Sequence, residues 1–429
     1  MRACKNSCVY HFFFVSLQTF YTAYRMQEII QYIIEFLLYG NKQAAQLVGY
    51  TNNSEEWSNY KVVIKPNGHF GKELVYPDLT EIKLSKYIPT INTNKQDDYN
   101  EEKIVHIIET DIVYTTFFFI SRAEELLDNR RDEHGRFLAK YSILGTNNRL
   151  MIPLVDEYAR MLMKLLEIDL PKPNYTNIYL SHDIDSLAQY RHLRGAIGGI
   201  LRGEIRAVVY ALRAIQHDPI YTFSWLISHD KTVDRAEVIY FVKDTPGKGY
   251  DYPQYKLTGI DYLQTHKLLN NSGARIGWHS SYFGAPSPLK QQDKTINYQL
   301  HRSHYLRCSI DQMQRLVDMG VKDDFTMMFA DHIGFRLQTT RAVKWINPKT
   351  WQLTNLTLHP MTIMDCTLSN EQYMQLTEDE AYFLCQQLFE KIYQNAGEVI
   401  LLWHNSIISK NGYHRSLYPK LLNILREKQ

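Results

Sequence analysis

The sequence predicts an α/β protein: a parallel sheet or barrel in the C-terminal ~250 residues, preceded by a smaller α/β domain. Two observations carry this prediction. Beyond residue 171, short apolar runs typical of strands alternate with segments of helical periodicity. Hydrophobic residues make up 45% of the chain and charged residues 22%, which is ordinary for a globular protein.

Two prolines mark the predicted domain boundary. Pro171 and Pro173 follow a helix predicted over Val155–Ile168, and they stop a helix and force extended backbone. We therefore expect an N-terminal domain over residues 1–170 and a C-terminal domain over 171–429. In the former, Lys61–Lys65 and Ile104–Ile108 are predicted strands.

The C-terminal domain shows repeated strand and helix signals. A helix is predicted over Ile310–Met319, ending at Gly320, and Thr377 with Glu380 forms a capping box before another helix. The predicted strands are Asn177–Leu180, Val238–Val242, Arg275–Trp278, Asp324–Ala330 and Val399–Trp403.

Charge and cysteine content exclude several classes of protein. A net charge of +2 gives no reason to expect a nucleic-acid partner. Five cysteines, an odd number, argue against a disulfide framework and for a reducing, cytoplasmic compartment. No apolar run approaches the ~18 residues of a transmembrane helix. The run Val9–Leu17 leaves a weak export signal as the alternative, whereas a start at Met26 would make residues 1–25 non-native.

The chemistry is suggested by ionisable residues that follow strands. Asp183 and Asp185 follow the first predicted strand of the C-terminal domain, His279 the third and His404 the last. Because ligands bind at the carboxyl ends of parallel strands, we expect these four side chains to converge.

Such a set would suffice for metal-assisted hydrolysis of an amide or ester. Asp185 and His279 are oxygen and nitrogen ligands suited to a divalent transition ion. Asp183 could take a proton from water, and His404 could donate one to the leaving group. The alternative for the Asp pair is a turn or a helix cap, and for His279 a buried histidine with a purely structural role.

At these residues the sequence resembles the polysaccharide deacetylases, the NodB-homology domains of carbohydrate esterase family 4. Ser181-His182-Asp183-Ile184-Asp185 is similar to their first motif, and the stretch starting at His279 keeps one histidine of the second. The likeness is to a divergent His-Asp-Val-Asp branch with an N-terminal domain of unknown function and an insertion, here Tyr190–Asp230. It implies a distorted (β/α) barrel.

The resemblance also implies roles for individual residues. Asp183 would be the base, oriented by Arg302, and Asp185 with His279 would bind the metal. Because the second motif histidine is absent, we conjecture that His304 is the third ligand, with a loop histidine of no metal role as the alternative. His404 would be the general acid. The expected substrate-binding residues are Tyr305, Trp403, His359, Arg336 and Asp331. For the last three the alternative is packing and turn chemistry.

The predicted function is a metal-dependent hydrolase that cleaves a non-peptide C–N bond, removing an N-acetyl group from a sugar or surface-glycan precursor. The expected ion is Zn²⁺, with Co²⁺, Mn²⁺ or Ni²⁺ also compatible. A hydrolase of the same fold acting on another substrate, and a metal-free glycan-binding module, are the alternatives. The sequence predicts no oligomeric state.

Overall fold

The computed structural model describes residues 24–88, 104–191, 193–204, 206–244, 249–252, 255–284, 293–410 and 412–428. The expectations about the start and a possible export signal, with Cys4 and Cys8, lie outside the described residues. In chain order, the strands are β1 Val48–Tyr50, β2 Val62–Ile64, β3 Leu84–Tyr87, β4 Val105–Ile108, β5 Asn177–Ile184, β6 Ala236–Lys243, β7 Arg275–Ser280, β8 Asn297–Ser303, β9 Asp323–Asp324, β10 Val343–Asn347, β11 Gln352–Leu358, β12 Ile363–Met364 and β13 Glu398–Leu402.

Helices connect most of these strands. The first described helix runs over residues 24–37. The other α-helices are Lys42–Ala45, Ile112–Ile120, Glu124–Leu127, Ile143–Thr146, Leu154–Leu165, Leu193–Leu201, Arg206–Leu212, Phe223–Asp230, Ile260–Asn271, Ile310–Asp318, Asp365–Ser369, Glu378–Gln394, Asn405–Lys410 and Gly412–Glu427. Short 3₁₀ helices are Ser54–Asn59, Ala139–Tyr141, Ile215–His217, Gly249–Asp251 and His304–Leu306.

The chain divides into two compact units. The first contains the described residues up to Asn129, together with Leu154–Leu170 and Val343–Thr354. The second contains Arg130–Pro153, Pro171–Ala342 and the chain from Asn355 onward. The chain thus passes between the units more than once, whereas the sequence predicts one boundary before Pro171. Which stretch folds as a separate domain stays a prediction.

The first unit contains a four-stranded sheet in the order β1-β2-β4-β3. Strands β1, β2 and β4 are parallel, and β3 is antiparallel to β4. The two strands predicted from the sequence, Lys61–Lys65 and Ile104–Ile108, are confirmed as β2 and β4. Their apolar side chains, with Val63 and Ile107 among them, form a core against which Trp57 packs.

The second unit contains strands in the order β11-β9-β8-β7-β6-β5-β13-β12, and the neighbours from β11 to β12 pair in parallel. The predicted α/β class with a parallel sheet is therefore confirmed. Among the described residues, β11 and β12 do not pair with each other, so closure into a barrel stays a prediction.

The sheet is packed tightly where it supports the site. Gly277 in β7 lies against Phe241, and a Cβ built on Gly277 would lie 2.7 Å from that ring. The neighbouring strands bury Leu180, Ile239 and Val399 completely. Since interiors pack at crystal-like density, such a sheet holds the side chains at its strand ends in fixed positions.

One predicted strand is wrong. The sequence predicts a strand over Asp324–Ala330, but β9 ends at Asp324. The Asp324 carboxylate accepts hydrogen bonds from both the backbone N–H and the hydroxyl of Thr326, which folds the chain out of the extended conformation. The apolar residues that follow Asp324 are buried in irregular backbone instead.

Candidate metal centre and catalytic cavity

Three predicted metal ligands meet at the carboxyl ends of β5, β7 and β8. One donor atom from each of Asp185, His279 and His304 lies within 4.8 Å of the others. Asp185 Oδ1 is 3.4 Å from His279 Nε2 and 3.2 Å from His304 Nε2. Asp183 Oδ2 lies 3.7 Å from His279 Nε2. These distances leave room for one ion among the three donors.

Each imidazole is held through its other nitrogen. His279 Nδ1 lies 3.0 Å from the carbonyl oxygen of Arg302, and His304 Nδ1 lies 2.8 Å from Asp251 Oδ1. Asp251 also accepts hydrogen bonds from the hydroxyl of Ser281 and the backbone N–H of Tyr282. When Nδ1 donates in both rings, the Nε2 lone pairs face Asp185, as in sites where a carboxylate or carbonyl orients a ligating histidine.

Two of the three donor atoms lack a well-aligned hydrogen-bond partner. Asp185 Oδ1 and His279 Nε2 are buried, and neither has one within the part of the chain that the structure describes. His304 Nε2 lies near Asp185 Oδ1 but is not aligned for a hydrogen bond. Because buried polar atoms are normally satisfied, this arrangement fits a cation between the donors.

The electrostatics of the centre follow from this crowding. Burial would raise the pKa of Asp185, but His304 and His279 outweigh it and hold the pKa well below its ordinary value. Burial lowers the pKa of His279 and outweighs the nearby Asp183, so this imidazole is neutral at pH 7. Burial would also lower the pKa of His304, but Asp185 and Asp251 raise it to about 9. Metal binding would have to displace that proton.

Asp183 is held by an arginine rather than by the histidines. Arg302 Nη1 donates to Asp183 Oδ1 at 2.9 Å, and Nη2 donates to the hydroxyl of Ser181 at 2.9 Å. Its Nε donates to the carbonyl of Phe325 at 3.0 Å, and the guanidinium lies 4.4 Å from the centroid of the Phe241 ring. Arg302 is fully buried, so one side of the Asp183 carboxylate is fixed in place.

His404 approaches the same centre from β13. Its Nε2 is 3.8 Å from Asp185 Oδ2, and its Nδ1 lies 2.8 Å from Asp365 Oδ1. Burial would lower the pKa of His404, but the Asp365 carboxylate raises it well above the ordinary value. The Cys366 thiol lies 3.9 Å from His404 Nδ1, and burial raises its pKa to about 11. The raised pKa favours the protonated imidazole, and Nε2 is its nitrogen nearer to Asp185.

A cavity of about 340 Å³ opens over this centre. Tyr305 lies in it because the backbone turns sharply after β8, with positive φ at Tyr305 (59°) and Leu306 (54°). Arg136 lines the cavity and donates to the hydroxyl of Tyr373 and to the Asp132 carboxylate. The lining residues are Arg136, Asp183, Asp185, Tyr250, Tyr252, His279, His304, Tyr305, Leu306, Met364, Cys366, Asn370, Tyr373, Leu402 and His404.

Four predicted substrate-binding residues lie elsewhere. Trp403 is fully buried against Tyr418, on the opposite side of the chain from the cavity-lining Leu402. The other three have partners of their own outside the cavity lining: His359 contacts Asp323 and Glu398, Arg336 donates to the Met328 carbonyl, and Asp331 accepts from the backbone of Ala139. Their expected role in binding substrate stays a prediction.

Two carboxylates outside the predicted catalytic and metal-binding residues support the site. Asp365 follows the two-residue strand β12, so it obeys the strand-end pattern, but the strand is too short to detect from periodicity. Asp251 lies in the 3₁₀ helix Gly249–Asp251, and no local signal connects it to His304. Both act through side-chain contacts between distant parts of the chain.

Comparisons with known proteins leave the function open. Residues 8–171 match the model of a family of unknown function, DUF7033. No curated protein matches the chain. One solved structure that resembles it is described as a "putative polysaccharide deacetylase" from Mycobacterium smegmatis. It is 11% identical, with a TM-score of 0.36, over 59% of this chain and 87% of that one.

Proposed function

We propose that the protein is a metal-dependent hydrolase that removes an N-acetyl group from a sugar or a surface-glycan precursor. The observation that carries the proposal is the set of donor atoms from Asp185, His279 and His304 within 4.8 Å, two of them buried without an aligned partner. One carboxylate and two imidazoles form the donor set of a catalytic zinc site, which keeps one position open.

When bound, a divalent ion would polarise the acetyl carbonyl and allow water to ionise near neutral pH. Zn²⁺ suits the oxygen and nitrogen donors best, although Co²⁺, Mn²⁺ and Ni²⁺ accept the same set. Asp185, His279 and His304 would hold the ion. His279 is already neutral for this purpose, whereas His304 must first lose a proton to solvent.

Asp183 is the proposed general base. Arg302 occupies its Oδ1, so Oδ2 is left towards the metal centre to accept a proton from water. Fixing the carboxylate in this way limits rotation that would take Oδ2 out of reach. Arg302 is thus a positioning residue and does not itself contact the reacting atoms.

His404 is the proposed general acid. Its protonated Nε2 lies on the cavity side, while Asp365 holds Nδ1. A proton delivered to the departing amine nitrogen completes cleavage of the C–N bond, since an amine leaves far more readily than its anion. In this proposal Asp183 accepts the proton and His404 donates one.

The substrate class rests on the family resemblance and on the character of the cavity. The cavity offers tyrosine rings and the amide of Asn370 around a space of about 340 Å³. Rings with a polar tip can pack against the apolar face of a sugar while bonding to its hydroxyl groups. This lining supports an uncharged sugar ring better than a purely apolar acyl chain.

Metal analysis of the purified protein tests the proposal. We expect about one divalent ion per chain in the wild type and loss of most of it in His279→Ala and His304→Ala, because each variant removes one of three protein ligands. His217→Ala, which changes an exposed histidine of the same unit, is the matched control and should keep the ion. A wild-type protein without stoichiometric metal after incubation with Zn²⁺ would overturn the proposal in favour of a binding module.

A substrate panel separates this activity from related hydrolases. N-acetylated sugars, O-acetylated sugars and acetamides without a sugar should be compared with the metal-loaded wild type. Preferential release of acetate from the N-acetylated sugars is the expected result. Faster release of acetate from O-acetylated sugars or from acetamides without a sugar would support a hydrolase but contradict the proposed substrate class.

A further inference from the structure

A helical hairpin in the second unit has no role in the site. It consists of the helices Leu193–Leu201 and Arg206–Leu212, joined by a turn at Gly203, whose φ is +80°. The helices approach each other closely through small residues. A Cβ built on Gly199 would lie 2.4 Å from the Cβ of Ala207.

The large apolar side chains of this hairpin point outward. Leu201 is 82% exposed and Leu212 is 81% exposed. Small residues inside and large aliphatic residues outside reverse the usual arrangement of a helix pair in water, and such packing is typical of helices in an apolar environment. Among the hairpin side chains that the structure describes, Ile197, Ile200, Val208 and Val209 are exposed as well.

The hairpin and the residues that flank it are also basic. Glu204 is the one acidic residue in the sequence between residues 191 and 217, and it accepts hydrogen bonds from Tyr190 and Arg202. Arg206 and Arg213 are exposed at the two ends of the second helix. The arginines of this stretch are at positions 191, 194, 202, 206 and 213.

Exposed aliphatic residues beside arginines are the pattern of segments that lie in the interface of a negatively charged bilayer. With nine and seven residues, the helices are about 14 Å and about 10 Å long, too short for a hydrocarbon core of about 30 Å. No helix among the described residues is long and apolar enough to cross a membrane. We propose that this hairpin docks the protein on the surface of an anionic lipid bilayer.

Residues that flank the hairpin line a second cavity, which shares one lining residue with the catalytic cavity. Arg191, just before the hairpin, is paired with Asp261, and both line this second cavity of about 380 Å³. Tyr252 lines both this cavity and the catalytic one. If the proposed function holds, docking brings the catalytic cavity to a surface that carries membrane-attached glycan. This consequence rests on the proposed function, whereas the docking itself does not.

Vesicle binding by the full-length protein tests the inference. We expect the wild type to sediment with vesicles of phosphatidylcholine mixed with phosphatidylglycerol, to do so less at high salt, and to bind pure phosphatidylcholine weakly. The double variant Leu201→Asp/Leu212→Asp should bind at least about tenfold more weakly, because it places charge where apolar side chains would enter the interface. Arg206→Glu/Arg213→Glu should lose the preference for the anionic lipid.

Phe383→Asp is the matched control. Phe383 is also exposed and apolar but lies on the helix Glu378–Gln394, away from the hairpin sequence, so vesicle binding should be unchanged. Equal binding by the wild type and Leu201→Asp/Leu212→Asp, both with native circular dichroism, would overturn the inference. So would a dimer that dissociates in this double variant without any vesicle binding, since the hairpin would then be a self-association surface.

Acetate release from a soluble N-acetylated sugar separates the two proposals. Leu201→Asp/Leu212→Asp should hydrolyse it as the wild type does while failing to bind vesicles. Vesicle binding by a wild type that has no hydrolytic activity would support docking and contradict the proposed function.

Discussion

Two aspartates separated by one residue have different surroundings at this site. Asp183 is fixed by the buried Arg302, whereas Asp185 faces imidazole rings and keeps a buried oxygen without an aligned partner. Carboxylates that sit in different environments can take different roles in one reaction. This difference is the basis for assigning Asp183 to proton transfer and Asp185 to metal binding.

Asp183→Asn should separate these roles. The amide keeps the shape of the side chain but cannot accept a proton from water, so we expect kcat to fall by about 10²–10⁴-fold with the metal retained. Acetate release and metal content, measured on the same preparation, check this. Full activity in the variant would show that Asp183 is not the base.

Asp251→Asn should weaken metal binding without removing a ligand. Asp251 orients His304, and loss of such an outer carboxylate typically costs about 10–100-fold in metal affinity. Competition with a chelator measures the affinity. Asp331→Asn, which changes a carboxylate outside the cavity lining, should leave it unchanged. If Asp251→Asn and Asp331→Asn bound the metal with the same affinity, Asp251 would have no supporting role.

Part of the site could be predicted from the sequence, because ligands bind at the carboxyl ends of parallel strands. Asp183, Asp185, His279 and His404 each lie within two residues of the carboxyl end of a parallel strand, so their convergence could be predicted. Trp403 could not be placed in the same way. Successive residues of an extended chain point to opposite sides, so Trp403 is buried away from the cavity that Leu402 lines.

At the scale of elements, strand β8 is a strand that its hydrophobic pattern does not reveal. It was not predicted, because His301 and Arg302 interrupt its apolar pattern. Both are fully buried in the sheet, with His301 bonded to Asp324 and Arg302 to Asp183. A strand whose charges are satisfied by distant residues cannot be recognised from its own sequence. Strands β5, β6, β7 and β13 have ordinary apolar runs and were recognised.

The helix Glu378–Gln394 offers a test at this scale. The predicted capping box is confirmed: the Thr377 hydroxyl accepts from the Glu380 N–H, and the Glu380 carboxylate accepts from the Thr377 N–H. Thr377→Ala removes the cap, and we expect the free energy of unfolding to fall by about 1 kcal/mol. Chemical denaturation measures this change. Thr258→Ala, at an exposed position outside any helix, should change stability by less than about 0.5 kcal/mol.

At the scale of the whole molecule, a single parallel sheet brings distant residues together. Asp183 and His404 are far apart in sequence, yet β5 and β13 are neighbours, with Ser181 paired to Leu402. The α/β class and this adjacency at the carboxyl ends follow from alternating strand and helix signals. The division into two units could not be predicted in this way. Arg130–Pro153 belongs to the second unit and Val343–Thr354 to the first, so no single boundary in the chain separates the units.

The buried His359 and its two carboxylate partners should make the stability of the folded protein depend on pH. His359 is buried between Glu398 Oε2, 2.8 Å from its Nδ1, and Asp323 Oδ1, 3.2 Å from its Nε2. Burial would lower the pKa of His359, but the two carboxylates raise it to about 9. The unfolded chain has the ordinary value of about 6.5. The folded state therefore favours protonated His359, and its stabilisation is complete below about pH 6.5 and lost as pH rises towards about 9.

His359→Gln should remove this pH dependence. A shift from 6.5 to about 9 corresponds to about 3.4 kcal/mol at most, so the wild type should lose up to about 3 kcal/mol more stability than the variant between about pH 6 and about pH 9.5. Chemical denaturation of both proteins at the two pH values measures it. Comparing the two proteins removes the contribution of His304, which titrates over the same range in both. Parallel pH profiles would mean that His359 does not hold its proton in the folded protein.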